Sequence, residues 1–214
     1  MAARTDNQRS IAKYRSKAAG YDASTGPTWP IRMHCIELLQ LRGGDCVLDV
    51  GCGTGLSFEP LLERIGRQGR LLAFEQSPEM HARARARADA LITQGWQIEL
   101  VLASAEEVRL STHADAVLCH YIHDISRSPE ALDNLFAQIR PGARVAIAGM
   151  KFFPWFLAPL NLLAWLKNRP YNVHALELHQ PWRLIASRLS GFEWQPTQWG
   201  MGYIGSGRAP ESAL

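Results

Sequence analysis

A glycine-rich loop after the first apolar segment has the spacing of a ligand-binding site. Residues 46–50 form a short apolar, β-branched run, as expected of a buried parallel strand. Gly51, Gly53 and Gly55 follow it at alternate positions. Because glycine has no side chain, such a loop can adopt positive φ and let a ligand lie against the backbone. Open α/β sheets bind ligands at the carboxyl ends of their strands, so we predict a binding loop here.

Two carboxylates indicate which ligand this loop binds. Asp49, near the end of the first strand, is costly to bury unpaired and would repel a pyrophosphate. Leu56 occupies the position where a dinucleotide fingerprint has its third glycine. Glu75 ends the second predicted strand, where an acid accepts hydrogen bonds from ribose hydroxyls. The set disfavours a nicotinamide cofactor and favours S-adenosylmethionine, which has no phosphate and carries a cationic ammonium and sulfonium.

A second group of side chains follows the fourth predicted strand, at the same edge of the sheet. His120, His123 and Asp124 fall within five residues of one another. Methyl transfer is an in-line displacement, and alignment of donor and acceptor can supply about 7–11 kcal/mol of the barrier. A hydroxyl acceptor also needs a base, for which imidazole has a suitable pKa. We expect His123 or His120 to be that base, with Asp124 orienting it; the alternative is that they contact the cofactor or only hold the loop.

Alternating strand and helix patterns must position these groups. Parallel neighbours need crossover helices, so the pattern predicts a Rossmann-like, doubly wound α/β sheet with helices on both faces. A hairpin in the tail predicts an antiparallel last strand. The predicted strands lie at residues 46–50, 71–74, 98–102, 116–119, 144–148, 192–199 and 203–207, and the helices at 30–39, 58–65, 77–95, 128–139 and 182–189.

We expect one domain made of four consecutive parts. These are an N-terminal helical cover (1–41), the cofactor-binding core (42–149), an apolar acceptor-side insertion (150–180), and a C-terminal helix with a β-hairpin (181–214). The length of 214 residues suits a single core.

Composition limits the partners and the compartment. The net charge of +3 arises largely in a basic leader without the aromatic stripe of a nucleic-acid surface, so no nucleic-acid partner is expected. The four cysteines have neither disulfide-framework nor zinc-site spacing, which predicts reduced core residues, a cytoplasmic protein and no metal. The cysteines are Cys35, Cys46, Cys52 and Cys119.

The segment Val47–Gly55 resembles the first motif of class I S-adenosylmethionine-dependent methyltransferases, and in particular their ubiquinone/menaquinone-biosynthesis-like branch. Tyr21-Asp22, Ser77 to Met80 and Leu135 to Gly142 resemble the same branch. The resemblance implies a seven-stranded sheet with a reversed last strand, S-adenosylmethionine as cofactor and S-adenosylhomocysteine as product. It assigns the methionine end to Asp49, Gly51, Gly53 and Gly55, the ribose to Glu75, the adenine to Gln76 and Met80, and a cofactor contact to His120. We also expect Cys52 in the loop to contact the cofactor and Tyr21 to help close the N-terminal segment over it.

One position departs from that family. Many members have an aspartate after the third strand that bonds the adenine amino group, and here Ser104 stands in its place. The Ser104 hydroxyl can still accept one hydrogen bond, and the amide of Ala105 can still donate to the ring.

The tryptophan-rich segment Phe152–Leu166 leaves several interpretations of the acceptor open. It is either a hydrophobic lid over a small-molecule acceptor, or an interfacial segment in peripheral contact with a membrane, or an insertion packed on the sheet or at a homodimer interface. It is interrupted by prolines and too short to span a bilayer. The leading expectation is methyl transfer to an O, N or C nucleophile of a small hydrophobic metabolite. The alternatives are a lipid or quinone methyltransferase at a membrane surface, and a non-catalytic cofactor-binding regulatory protein.

Overall fold

The computed structural model describes residue 22 and residues 25–151 and 179–211. Within them, seven strands form one sheet in the order β3-β2-β1-β4-β5-β7-β6. The first five are parallel, and β7 runs antiparallel between β5 and β6. The predicted fold class is confirmed. The strands are β1 Cys46–Val50, β2 Arg70–Glu75, β3 Ile98–Leu102, β4 Ala114–His120, β5 Ile139–Met150, β6 Ser190–Thr197 and β7 Gly202–Arg208.

Helices connect these strands, and two of them begin at a serine cap. Ser77 and Ser128 each accept a hydrogen bond from the backbone amide three residues later, and a proline follows each serine at the first helical position. The described helices are α1 Trp29–Leu38, α2 Phe58–Ile65, α3 Pro78–Ile92, α4 Pro129–Phe136 and α5 Arg183–Ala186.

The sheet is covered on both faces by separate apolar clusters. Alternation along β1 directs Val47 towards α1 and α2, with Ile36 and Phe58 in the same cluster, and directs Leu48 into the cluster of α4 and Trp182. All five residues of β1 are buried. Asp49 has the parity of Val47, so its carboxyl group faces α1. Among the described residues, no helix is long and apolar enough to cross a membrane.

The boundary between α4 and β5 differs from the predicted one. The sequence pattern places Ile139 on the helix, but α4 ends at Phe136 and Ile139 begins β5, paired with Ala114. Ile139 would be buried whether it belonged to the helix or to the strand, so apolar spacing alone does not distinguish a helical from a strand position here. At this boundary the side chain of Gln138 is bonded to the connection between β3 and β4: its amide donates to the Val108 carbonyl and its oxygen accepts from the Leu110 amide.

The last helix and the strand that follows it also have bounds that differ from the predicted ones. The helix predicted at residues 182–189 is a single short turn, α5, and β6 begins at Ser190 rather than at Phe192. Gly191 adopts a φ of 61° inside this strand, where the register with β7 shifts. The hairpin places its tip at the carboxyl edge of the sheet, because Met150 at the end of β5 pairs with Gly202 at the start of β7.

Candidate cofactor and acceptor site

A cavity opens at the carboxyl edge, between the loops that follow β1, β2 and β4. Most of the residues predicted for the site lie in its wall. The wall consists of Gly51, Gly53, Phe74, Glu75, Gln76, Met80 and Ala105 on one side, and of His120, Tyr121, Ile122, His123, Asp124 and Ile125 on the other. Tyr21 lies outside the described residues.

The glycines of the loop are required for two different reasons. Gly51, Gly53 and Gly55 all have positive φ, between 58° and 79°. A Cβ at Gly51 would lie 3.3 Å from Cδ1 of Ile125, so this glycine lets the loop approach the opposite wall. A Cβ at Gly55 would lie 2.6 Å from the ring of Phe58. Gly55 therefore serves helix packing directly, and it lies behind the wall rather than in it.

Glu75 fastens the glycine loop to the end of β2. One carboxylate oxygen accepts from the Gly53 amide at 2.9 Å, and the other from the Ser77 amide at 2.8 Å. Burial raises the pKa of this carboxyl, and the bonds from backbone amides oppose that rise. Each oxygen keeps a further lone pair, so the group can also accept from a ligand hydroxyl. The sequence predicted a ribose contact but not the bond to the loop.

Asp49 is buried behind the loop beside a cation that the sequence analysis missed. The Ser57 hydroxyl hydrogen-bonds the Asp49 carboxyl and accepts a hydrogen bond from Nη1 of Arg32. Burial raises the pKa of Asp49 to about 7; the Arg32 charge and the Ser57 bond lower it, and the Glu75 charge raises it. Asp49 Oδ2 has no hydrogen-bond partner within the described residues. A buried acceptor without a partner fits a site for a cationic ligand group.

Arg32 had a recognisable signal in the sequence. It lies on the buried stripe of α1, three residues before Cys35 and four before Ile36, at a position where an apolar residue is expected. A charged residue on such a stripe is buried only with a partner. Its Nε also lacks a hydrogen-bond partner in the part of the chain that the structure describes.

His120 and Tyr121 form the wall opposite the glycine loop. Burial, followed by the charges of Arg32 and His123, lowers the pKa of His120 well below its usual value, so its imidazole is neutral. Its Nε2 is buried and has no hydrogen-bond partner among the described residues. Tyr121 has a φ of 60°, unusual for a bulky residue, and its amide donates to the Ala148 carbonyl at 2.8 Å. Strain of this kind clusters at functional sites.

His123 is tied to the end of β5. Its Nε2 accepts from the Met150 amide at 3.2 Å, which places the proton of the neutral ring on Nδ1. A base at this residue would have to give up that bond first. Asp124 precedes a 3-10 turn, Ile125–Arg127, and lines the cavity. The catalytic roles of His123, His120 and Asp124 stay predictions.

The hairpin tip borders the same wall. The Tyr121 hydroxyl donates to Oε1 of Gln198 at 3.5 Å. Gln198 and Trp199 both have positive φ, 49° and 58°, and Trp199 is 97% exposed. The tip therefore places an exposed aromatic ring next to the loop that carries His120 and His123.

The residues around the cavity fit the predicted cofactor. Asp49 Oδ2, Arg32 Nε and His120 Nε2 are buried without a hydrogen-bond partner among the described residues, and His120 lines the cavity. An apolar wall of Phe74, Met80 and Ala105 suits an adenine ring. Cys52 is buried, with its amide bonded to the Phe74 carbonyl, and lies outside the wall together with Ser104. Cofactor contacts of these two residues stay predictions.

Comparisons with known proteins agree with this geometry. Residues 47–142 match the family described as a methyltransferase domain. Protein-L-isoaspartate O-methyltransferase 2 of Archaeoglobus fulgidus is 27% identical over 139 residues, which are 64% of this chain and 60% of that protein. A ubiquinone biosynthesis O-methyltransferase of Xanthomonas axonopodis is 26% identical over 184 residues, covering 72% of this chain and 74% of that one. The chain therefore spans less than two thirds of the length of the first relative and more than two thirds of the second.

A solved structure shares the fold. The SAM-dependent methyltransferase of Aquifex aeolicus superposes with a TM-score of 0.64 at 17% identity, over 90% of this chain and 98% of that one. The sheet order, the loop with its two acids and the family match agree with one another. The chain contains a methyltransferase domain over residues 47–142 and is similar to S-adenosylmethionine-dependent methyltransferases, among them those of the ubiquinone-biosynthesis branch.

Proposed function

We propose that this enzyme transfers the methyl group of S-adenosylmethionine to an oxygen, nitrogen or carbon nucleophile of a small, hydrophobic metabolite. The proposal rests chiefly on the wall opposite the glycine loop. Ile122 and Ile125 make part of it apolar, and His120 is neutral there. A pocket with apolar sides and a few oriented polar groups suits a small organic acceptor.

The residues around the methyl donor act mainly by binding and alignment. The cofactor, when bound, supplies an electrophilic methyl group on a sulfonium. Glu75 fixes the glycine loop and can accept a ribose hydroxyl, while Asp49 offers a buried carboxylate to the cofactor's ammonium. Rigid placement of donor and acceptor provides much of the rate enhancement in such a displacement.

His120 and His123 have different proposed roles on the acceptor side of the cavity. His120 has a free nitrogen to hydrogen-bond and orient the acceptor, but its lowered pKa makes it a weak base. His123 holds β5 through Met150. We propose that the acceptor is either an intrinsically good nucleophile or a hydroxyl whose proton passes to His123 after the Met150 bond opens.

A labelling experiment tests this function. Purified protein is incubated with methyl-labelled S-adenosylmethionine and either a small-molecule extract, total protein or total RNA. We expect label in the low-molecular-mass, solvent-extractable fraction, and none with the Glu75→Ala variant. Label that enters protein or RNA instead would contradict a small-molecule acceptor.

A lipid or quinone acceptor at a membrane surface is the second candidate. The name of the Xanthomonas relative and the apolar sequence of Phe152–Leu166, which lies outside the described residues, favour it. Co-sedimentation with anionic liposomes at low and high salt tests it. Binding that persists at high salt indicates an inserted apolar segment, and protein that stays in the supernatant under both conditions contradicts membrane contact.

A further inference from the structure

Asp22 joins two elements of the cofactor site from outside the cavity. Its Oδ1 accepts a hydrogen bond from the Thr54 hydroxyl at 2.6 Å, and its Oδ2 pairs with Nη2 of Arg87 at 3.0 Å. Thr54 belongs to the glycine loop, and Arg87 to α3, which begins next to Glu75. The Asp22 carboxylate thus links the N-terminal part of the chain to the glycine loop and to α3, the two elements beside the cofactor site.

Thr54 is well placed to transmit this contact to the loop. It is 1% exposed and stands between Gly53 and Gly55, which have φ values of 60° and 79°. As glycines, both neighbours can adopt other backbone conformations at little cost. On the cavity side, the Gly53 amide is held by Glu75. The loop is therefore clamped from two directions, by one carboxylate that lines the cavity and by one that does not.

We propose that Asp22 is a positioning residue for cofactor binding, which holds the glycine loop in its binding conformation through Thr54 and is itself held by Arg87. Pre-organisation of this kind removes an ordering cost from binding and slows release. The proposal rests on the cofactor site described above, and it does not depend on the identity of the methyl acceptor.

The two contacts of Asp22 differ in their response to salt. The side chains of Arg87 and Asp22 are 31% and 39% exposed, so added salt screens their ion pair. The Thr54 hydroxyl is buried, and its bond is insensitive to screening. The Arg87 contribution is therefore expected to disappear at high ionic strength, while the Thr54 contribution persists.

The test measures the dissociation rate of S-adenosylhomocysteine by stopped flow from the full-length protein. We expect dissociation about tenfold faster for Asp22→Asn and about fivefold faster for Thr54→Val, the range expected for the net contribution of one hydrogen bond. Arg87→Met is expected to raise the rate about twofold at low salt and to match wild type at high salt. Arg83→Met, which changes an exposed arginine one turn earlier on α3, is the control and should leave the rate unchanged.

Two further measurements separate positioning from mere stability. Thr54→Ser keeps the hydroxyl and should keep the wild-type rate. The double variant Asp22→Asn/Thr54→Val should be less than multiplicative, because both changes act on the same Thr54–Asp22 contact. Unliganded melting temperatures should stay within about 4 °C of wild type, because each change removes about one hydrogen bond. An unchanged rate in Asp22→Asn, multiplicative rates in the double variant, or variants that unfold instead of releasing ligand faster would each overturn the proposal. Failure to find a small-molecule acceptor would leave these rates as they are, so the two proposals fail separately.

Discussion

Binding of S-adenosylhomocysteine should weaken as pH falls through 7, because the carboxyl of Asp49 takes up a proton there. Burial raises the pKa of this carboxyl in the unliganded protein to about 7, so it is mostly protonated at pH 6 and mostly ionised above pH 7.5. The ammonium of the ligand favours the ionised form. The complex therefore has the lower pKa, and binding releases a proton.

The magnitude follows from the ionised fraction of Asp49. With a pKa of about 7, roughly three quarters of the carboxyl is ionised at pH 7.5 and roughly a tenth at pH 6. If only the ionised form binds, affinity falls about eightfold between these values, which is about 1.2 kcal/mol. The Arg32 charge lowers the pKa of Asp49, so Arg32→Met should move the midpoint of this change to higher pH.

Calorimetry in buffers of different ionisation enthalpy measures both affinity and proton release. Asp49→Asn should bind weakly at both pH values, with no change between them. Glu75→Gln should move the midpoint to lower pH, because the Glu75 charge raises the pKa of Asp49. Equal wild-type affinities at pH 6 and 7.5 would refute the reasoning. So would an unaltered pH dependence in Asp49→Asn, because it would assign the proton to another group.

Three further substitutions have expected outcomes. Glu75→Gln replaces an acceptor of two backbone amides with a group that can serve only one of them, so calorimetry should show S-adenosylhomocysteine binding at least about tenfold weaker. Gly55→Ala combines a φ of 79° with a methyl group 2.6 Å from a phenyl ring, and urea denaturation should show a loss of about 2–4 kcal/mol, whereas Gly43→Ala, with open space around it, should change little. His120→Ala should reduce turnover more than His123→Ala if orientation outweighs proton abstraction, and a pH–rate profile that loses its acid limb only in His123→Ala would reverse that order.

Local patterns in the sequence were sufficient for most of the fold. The apolar run of β1, the serine-proline helix starts, and Gly200 and Gly202 at the hairpin each specify an element through nearby residues. Ile139 was assigned to the wrong element because burial on a helix and burial on a strand leave the same apolar signal at a junction. The order β5-β7-β6 is a tertiary property that spacing along the chain does not encode.

In the candidate site, too, some residues were predictable from local sequence and others were not. The glycines, Asp49 and Glu75 were recognisable because a loop at a strand end has few reasons to carry them. Arg32 was missed because charged residues are ordinarily assigned to the surface, although its place on the stripe of α1 marked it. The ion pair of Asp22 with Arg87 joins residues that are far apart in the chain, so no local sequence pattern predicts it.

The central claim is that the glycine loop and its two acids bind a sulfonium cofactor and not a dinucleotide. Calorimetric titration of the purified protein with S-adenosylhomocysteine and, separately, with NAD tests it most directly. We expect one molecule of S-adenosylhomocysteine bound per chain, much weaker binding in Glu75→Gln, and no binding of NAD. Binding of NAD without binding of S-adenosylhomocysteine would contradict it.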